Sequence, residues 1–241
     1  MHRLAKRKRQ ILNYLEHKSP DRVNLHSTLE SIITKLPETA IFGGMLRDFA
    51  LGEARAFSSD IDLVSLSNAD EISEAIAKYC PERNKFGGYR FTVDKWRFDI
   101  WAFEDTWAFR EGLVKGAEIS DLFKTTFFNL DASLFHLGQK EFLCDQMYID
   151  GVNNRILEIN LAENPSPLGM VRRAMRLVVQ NNLSIGLKLA NYILEHSESV
   201  KSEWVNESLL RDLKLHVVSN DKFPYEFKPQ LEMLSGLSCA K

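Results

Sequence analysis

The sequence predicts an α+β protein, a mixed sheet with flanking helices followed by an all-helical portion, and three observations predict it. A short apolar run, Ala40-Ile41-Phe42, ends in Gly43-Gly44 and passes into a helical period over 45–51. Strict alternation appears at Asp60-Ile61-Asp62-Leu63 and again in the run from Phe98 to Ala102. From about residue 165 onward strand signals give way to apolar residues at helical spacing.

Taken in order, the chain opens with a basic amphipathic helix. Arg3, Lys6, Arg7, Lys8 and Arg9 precede Ile11, Leu12 and Leu15, and Ser19-Pro20 closes the stretch. A second helix follows over 25–36, with Leu25, Leu29, Ile32, Ile33 and Leu36 on one stripe. The strand at 40–42 and the helix at 45–51 come next, and Gly52 stops that helix. In the strand at 60–63, Ile61 and Leu63 share one face while Asp60 and Asp62 share the other. A helix at about 69–79 leads through Gly87-Gly88 to a hairpin of 89–93 and 97–103 around Asp94-Lys95. Alternation in its second arm puts Asp99 and Trp101 together, on the face of Asp60 and Asp62 if the two strands are neighbours. Helical spacing then marks 170–177, 184–195 and 204–217. The expected division is 1–158, the basic helix plus the sheet domain, and 159–241, the helical portion.

A hydrophobic fraction of 44% over 241 residues is enough to bury a substantial core, which excludes a disordered chain. A net charge of −2 denies the protein a global basic field, so any nucleic acid must be held by local patches. The first helix is such a patch, and a solvated helix end is its equally good bland reading. Cys80, Cys144 and Cys239 are odd in number and far apart, which fits neither a disulfide framework nor a zinc site and points to a reducing compartment. With no secretory signal and no apolar window of roughly 20 residues, the expectation is a cytoplasmic protein without a membrane partner.

The acidic residues suggest chemistry. Nucleotidyl transfer uses two divalent ions about 3.5–4 Å apart, and Mg2+ asks for oxygen ligands. An Asp-x-Asp pair supplies two carboxylates on one strand face, and a third on an adjacent strand completes the site. Asp60, Asp62 and Asp99 fit that pattern as ligands of two Mg2+ ions, with Mn2+ as a substitute. The strand, Gly43-Gly44 and helix supply a turn open to a phosphate and a helix N-terminus with free N–H groups. Arg47, one turn in, is placed either to meet a phosphate or to hold Asp48.

The stretch from Phe42 to Gly52, FGGMLRDFALG, followed by Ser59-Asp60-Ile61-Asp62-Leu63-Val64, resembles the head of class II CCA-adding enzymes and bacterial poly(A) polymerases, of the polymerase beta-like nucleotidyltransferase superfamily. The resemblance spans roughly 40–183 and implies a polymerase beta-like head followed by a neck-like helical portion. It implies phosphate-binding or metal-binding roles for Gly43, Gly44, Arg47, Asp48, Ser59, Asp60 and Asp62. Phe98-Asp99-Ile100-Trp101-Ala102-Phe103 looks like the third acidic strand, and 171–177 looks like the neck helix. There Arg173 and Arg176, and to a lesser degree Arg172, are placed to contact triphosphate or RNA backbone. The implied partners are a nucleoside triphosphate and an RNA, tRNA or tRNA-like.

Departures from the family pattern are equally informative. The family's arginine-arginine-aspartate falls on Thr125, Thr126 and Phe127, leaving Lys124 as the nearest substitute. The two neck positions that template the incoming base fall on Pro167 and Met170, which offer no base-reading edge. The reading is therefore a nucleotidyltransferase with loosened or altered base selection acting on a hydroxyl, an RNA 3′ end first. The alternatives are a silent nucleotide-binding or RNA-binding module, and an enzyme acting on a small molecule or as a tRNA-modifying toxin or defence factor. Among the remaining candidates, Trp101 is the best placed of Trp96, Trp101 and Trp107 to stack on a base. Asp131 stands where the family has asparagine and reads as a helix cap before a fourth acidic group. His136 and His216 read as structural.

Overall fold

A computed structural model describes residues 2–17, 19–20, 22–52, 60–84, 87–196, 205–219 and 223–227. The chain forms two compact units. One holds 1–126 and 131–148, the other 127–130 and 149–241. Residue 158, the expected border, lies inside the second unit, because 127–130 pairs there with the chain around Glu158: Phe128 bridges Ile159 and the Asn129 N–H donates to the Glu158 carbonyl.

The first unit runs α1 (His2–Leu15), α2 (Val23–Lys35), β1 (Thr39–Phe42), α3 (Gly44–Leu51), β2 (Ile61–Ser65) and α4 (Ala69–Ile76). It continues through β3 (Glu82–Arg83), β4 (Tyr89–Val93), β5 (Trp96–Ala102), α5 (Trp107–Arg110), β6 (Ser133–His136) and β7 (Glu141–Cys144). The strands form one seven-stranded sheet in the order β3-β4-β5-β2-β1-β6-β7. Neighbours are antiparallel except β2 and β5, which are parallel because α4 and the β3–β4 arm carry the chain back between them.

Local chemistry sets these elements. Gly52, at φ 100°, ends α3 in the left-handed conformation glycine tolerates. Asn68 and Glu71 form a capping box at the start of α4. Asp94, at φ 56°, makes the two-residue turn between β4 and β5. Alternation then sorts the side chains. Ile41, Ile61, Leu63, Phe98, Ile100 and Phe135 are buried on the sheet face packed by α2, α3 and α4. On the opposite face Ala40, Phe42, Val64 and Leu134 join Phe103 and Leu122 in a second cluster, with Trp101, Phe109 and Phe123 against it. The segment after β5 thus covers one end of that face.

The second unit follows α6 (Gln146–Asn154) with β8 (Ile156–Leu157), α7 (Pro167–Asn181), β9 (Ser184–Ile185), α8 (Leu187–His196), α9 (Glu207–Ser219) and β10 (Tyr225–Glu226). Helices dominate it, with one addition to the sequence reading: three two-residue strands pair as β10-β9-β8. Ser184-Ile185, expected at a helix start, forms the middle strand, and α8 begins only at Leu187. Glu158 accounts for the late start, since its carboxylate accepts from the backbone N–H groups of Lys188 and Leu189 and so caps α8 from a distance. Among the described residues, no helix is long and apolar enough to cross a membrane.

Candidate active site

A straight row of cross-strand partners runs across the sheet: Arg90, Asp99, Asp62, Phe42, Leu134 and Leu143. Directly opposed residues project to the same face, so Asp62 and Asp99 stand side by side on neighbouring strands about 4.8 Å apart. Asp60 lies one residue before β2 and two before Asp62, at the same edge.

One cation links two of the carboxylates. The Arg90 Nε donates to Asp99 Oδ1 at 2.8 Å and its Nη2 to Asp99 Oδ2 at 2.6 Å, while Nη2 lies 3.7 Å from Asp60 Oδ2. Arg97 pairs with Asp60 Oδ1 at 2.7 Å. Hydrogen bonding to Asp99, then the charge of Asp99, and then the charges of Asp60 and Asp62 hold the Arg90 guanidinium above its ordinary pKa. Among the described residues, no group of three or more His, Cys, Asp or Glu side chains stands ready to hold a metal ion. Asp60, Asp62 and Asp99 nevertheless offer only carboxylate oxygens, the ligand type a hard divalent cation takes, and the Arg90 guanidinium bonded to Asp99 is half-exposed.

Gly43 borders the same space. It sits at φ 75° and ψ −130°, and a Cβ built there would stand 3.5 Å from Asp62 Oδ2. Any other residue would be strained in that backbone conformation, and its Cβ would lie in van der Waals contact with the carboxylate. Gly44 begins α3, and among the described residues no side chain caps that helix, so its first N–H groups and the positive end of its dipole sit beside Asp62.

Arg47 takes the second of its two expected roles and not the first. It is 8% exposed, and its guanidinium is paired with Asp131 (Nη1 to Oδ1, 2.6 Å) and with Asp48 (Nη2 to Oδ1, 2.9 Å; Nε to Oδ1, 3.1 Å). Burial alone would lower its pKa, but Asp131 and Asp48 outweigh that and raise it. Asp131 is therefore not a helix cap. It is the buried counter-ion that fastens α3 to the start of β6, brought there by a long-range contact no local pattern announces.

The other candidates divide plainly. Trp101 shares the face of Asp99, yet its indole N–H donates to Thr106 Oγ1 at 3.1 Å and its ring packs on the cluster under the sheet. Trp96 is buried with its ring edge-on to Tyr14, and Trp107 is half-buried. Lys124 pairs with Asp121 at 2.7 Å along one turn. Arg172, Arg173 and Arg176 are exposed on α7 in the second unit, with Arg173 over the Phe128 ring at 6.0 Å, and Pro167 opens that helix. His136 is buried, with Nε2 3.2 Å from Glu38 Oε2, and His216 lies on the Asp212 carbonyl, both structural as expected. Ser59 and Cys239 lie outside the described residues. Sequence reasoning missed Arg90 and Arg97. The signal for Arg90 was present: a two-residue turn at Asp94-Lys95 sets the register and places residue 90 opposite residue 99.

The sequence matches no protein-family profile and no curated protein. Among solved structures the chain is similar in fold to a CCA-adding enzyme in complex with ATP, with TM-score 0.56 and 18% identity over 95% of this chain and 52% of that one. It is likewise similar to the Thermotoga maritima CCA-adding enzyme complexed with tRNA, with TM-score 0.60 and 17% identity over 98% and 53% of the two chains. A tRNA nucleotidyltransferase complexed with a primer tRNA and an incoming ATP analogue matches at TM-score 0.53 and 15% identity, over 88% and 60%. The protein thus has a nucleotidyltransferase fold of the α+β kind. More particularly, it has the fold of the CCA-adding enzymes, and it spans about half the length of those structures.

Proposed function

We propose that the protein is a Mg2+-dependent nucleotidyltransferase that moves a nucleoside monophosphate from a nucleoside triphosphate to a hydroxyl, the 3′ end of an RNA of tRNA-like kind. The observation that carries this reading is the opposition of Asp62 and Asp99 on parallel strands, with Asp60 beside them and the side-chain-free Gly43 against Asp62. Asp60 and Asp62 would hold two ions and Asp99 one of them. When bound, the ions supply activation of the acceptor hydroxyl and neutralisation of the triphosphate. The open N-terminus of α3 would bind triphosphate oxygens, because its N–H groups lack a side-chain cap. Arg90, released from Asp99 and Asp60, becomes a mobile cation at the rim of the site. The acceptor oxygen attacks the α-phosphorus, the bond to the bridging oxygen breaks, pyrophosphate leaves with the electron pair, and the hydroxyl proton passes to solvent. Arg173 and Arg176 are further candidates for phosphate contact, and Pro167 and Met170 give no means of selecting a base.

The second reading, a module that binds nucleotide or RNA without turnover, is favoured by Thr125 and Thr126 standing where the family carries arginines. One experiment separates the two. Purified protein is incubated with Mg2+, each labelled triphosphate and total RNA, and label in RNA and free pyrophosphate are measured. Transfer that is lost in Asp62→Asn and Asp99→Asn, with unchanged circular dichroism, supports the enzyme. Bound nucleotide without pyrophosphate refutes it in favour of the module.

A further inference from the structure

The first helix carries a surface the proposed chemistry does not use. Between His2 and Leu15 there is no acidic residue, and four consecutive cations, Lys6, Arg7, Lys8 and Arg9, stand in a chain whose net charge is −2. The helix spends its apolar stripe inside the fold: Ile11 and Leu15 are buried, and α1 packs on α3 and β7. What remains outside is polar, with Lys6, Arg9, Gln10 and Asn13 exposed. Among the described residues, no carboxylate pairs with Lys6, Lys8 or Arg9.

Its position follows from the sheet register. Arg7 lies close enough to Cys144 and Tyr148 to act on both electrostatically. Cys144 is opposite Ser133, one step along from the row that joins Leu143, Leu134, Phe42 and Asp62. The basic turns of α1 therefore begin at the end of the sheet that holds Gly43 and the three acids. Three strand spacings, about 15 Å, separate β7 from β2 there.

We propose that the outer face of α1 is a docking surface for the phosphate backbone of the acceptor RNA, held by Lys6, Lys8 and Arg9 as a sequence-independent electrostatic contact. The inference rests on the nucleotidyltransferase reading for the identity of the acceptor, not for the surface itself. An anionic membrane is the other polyanion a basic amphipathic helix can meet. Such binding needs a free apolar face to insert, and that face is buried against α3 and β7. A phosphate backbone needs only the cations.

The test is binding of labelled single-stranded RNA of mixed sequence to the full chain, by fluorescence anisotropy across a series of salt concentrations. Three phosphate contacts contribute about 2 to the slope of log Kd against log salt. Lys6→Gln/Lys8→Gln/Arg9→Gln is therefore expected to weaken binding at low salt and to make that slope shallower by about 2. Lys6→Gln/Arg9→Gln, which alters only exposed side chains, guards against misfolding and should lose about 1.4. An unchanged slope in a folded variant overturns the proposal, as does equal binding to vesicles of phosphatidylserine and phosphatidylcholine that the same substitutions abolish. Transfer assays keep the two readings apart. If the enzyme is active, the variant should raise KM for RNA with kcat retained. If the wild type transfers nothing but its RNA binding still depends on α1, the surface stands and the transferase reading falls.

Discussion

Replacing Asp131 tests the device that holds α3, which follows the Gly43-Gly44 turn, to the start of β6. Arg47 and Asp131 are 8% and 7% exposed and meet at 2.6 Å, and Asp48 accepts from Nε and Nη2 of the same guanidinium. Asp131→Asn keeps an acceptor oxygen and the side-chain size, so it removes mainly charge, at a cost of about 2 kcal/mol, the range of a hydrogen bond to an ionised group. Asp131→Ala removes the acceptor as well and strands a buried cation on one partner, which costs about 3–5 kcal/mol. Arg47→Met removes the buried cation that faces Asp131 and should cost a similar amount. Arg47→Met with Asp131→Leu removes both charges and fills the space, so the double change should cost well under the sum of Arg47→Met and Asp131→Leu measured singly. The coupling energy expected is about 2 kcal/mol or more. Urea unfolding followed by tryptophan fluorescence is the assay, since three of the four tryptophans, Trp96, Trp101 and Trp107, lie in the first unit. A coupling below about 0.5 kcal/mol, with Asp131→Ala unfolding at the wild-type midpoint, would refute the buried pair.

Arg90→Gln should tighten Mn2+ binding about twofold to fivefold, measured by the spin-resonance signal of free Mn2+, because the half-exposed guanidinium competes for Asp99 and Asp60 with the modest energy of a solvated ion pair. Weaker Mn2+ binding in that variant would mean that Arg90 is not in the cation's place. Stability should fall in alkali. Burial pushes the Cys144 thiol up to about 11 and the Tyr148 hydroxyl up to about 12. The unfolded chain then loses these protons first, from pH 9.0 for the thiol and 10.0 for the phenol. The neutral groups' contribution is complete below those values and is lost as pH rises through the folded ones, by up to about 1.4 kcal/mol per pH unit for each group. Tyr148→Phe should flatten the upper part of that decline in denaturation midpoints, and an unaltered profile would count against the burial of this hydroxyl.

Much of the site is legible because local rules place it. Alternation puts Asp60 and Asp62 on one face and Asp99 on one face of its own strand, and a glycine pair between a strand and a helix marks the turn. Whether those two faces coincide depends on which strands are neighbours. The parallel pairing of β2 with β5, which sets Asp62 against Asp99, is a matter of topology and has no local signature. Arg47 shows the opposite limit. Its sequence neighbourhood allows either a phosphate or a carboxylate partner, and only the arrival of Asp131 from 84 residues away decides for the carboxylate.

By itself, the sequence determined the alternating faces, the helix and turn boundaries and the three acids, because strand period, helical period and turn chemistry act over a few residues. The tertiary structure alone decided that Asp62 stands opposite Asp99, that Arg90 bonds Asp99 and comes near Asp60, that Arg47 is buried and that Lys6 and Arg9 of α1 are exposed. Each of those depends on which distant surfaces pack together, and close packing of a folded core is a property of the whole chain.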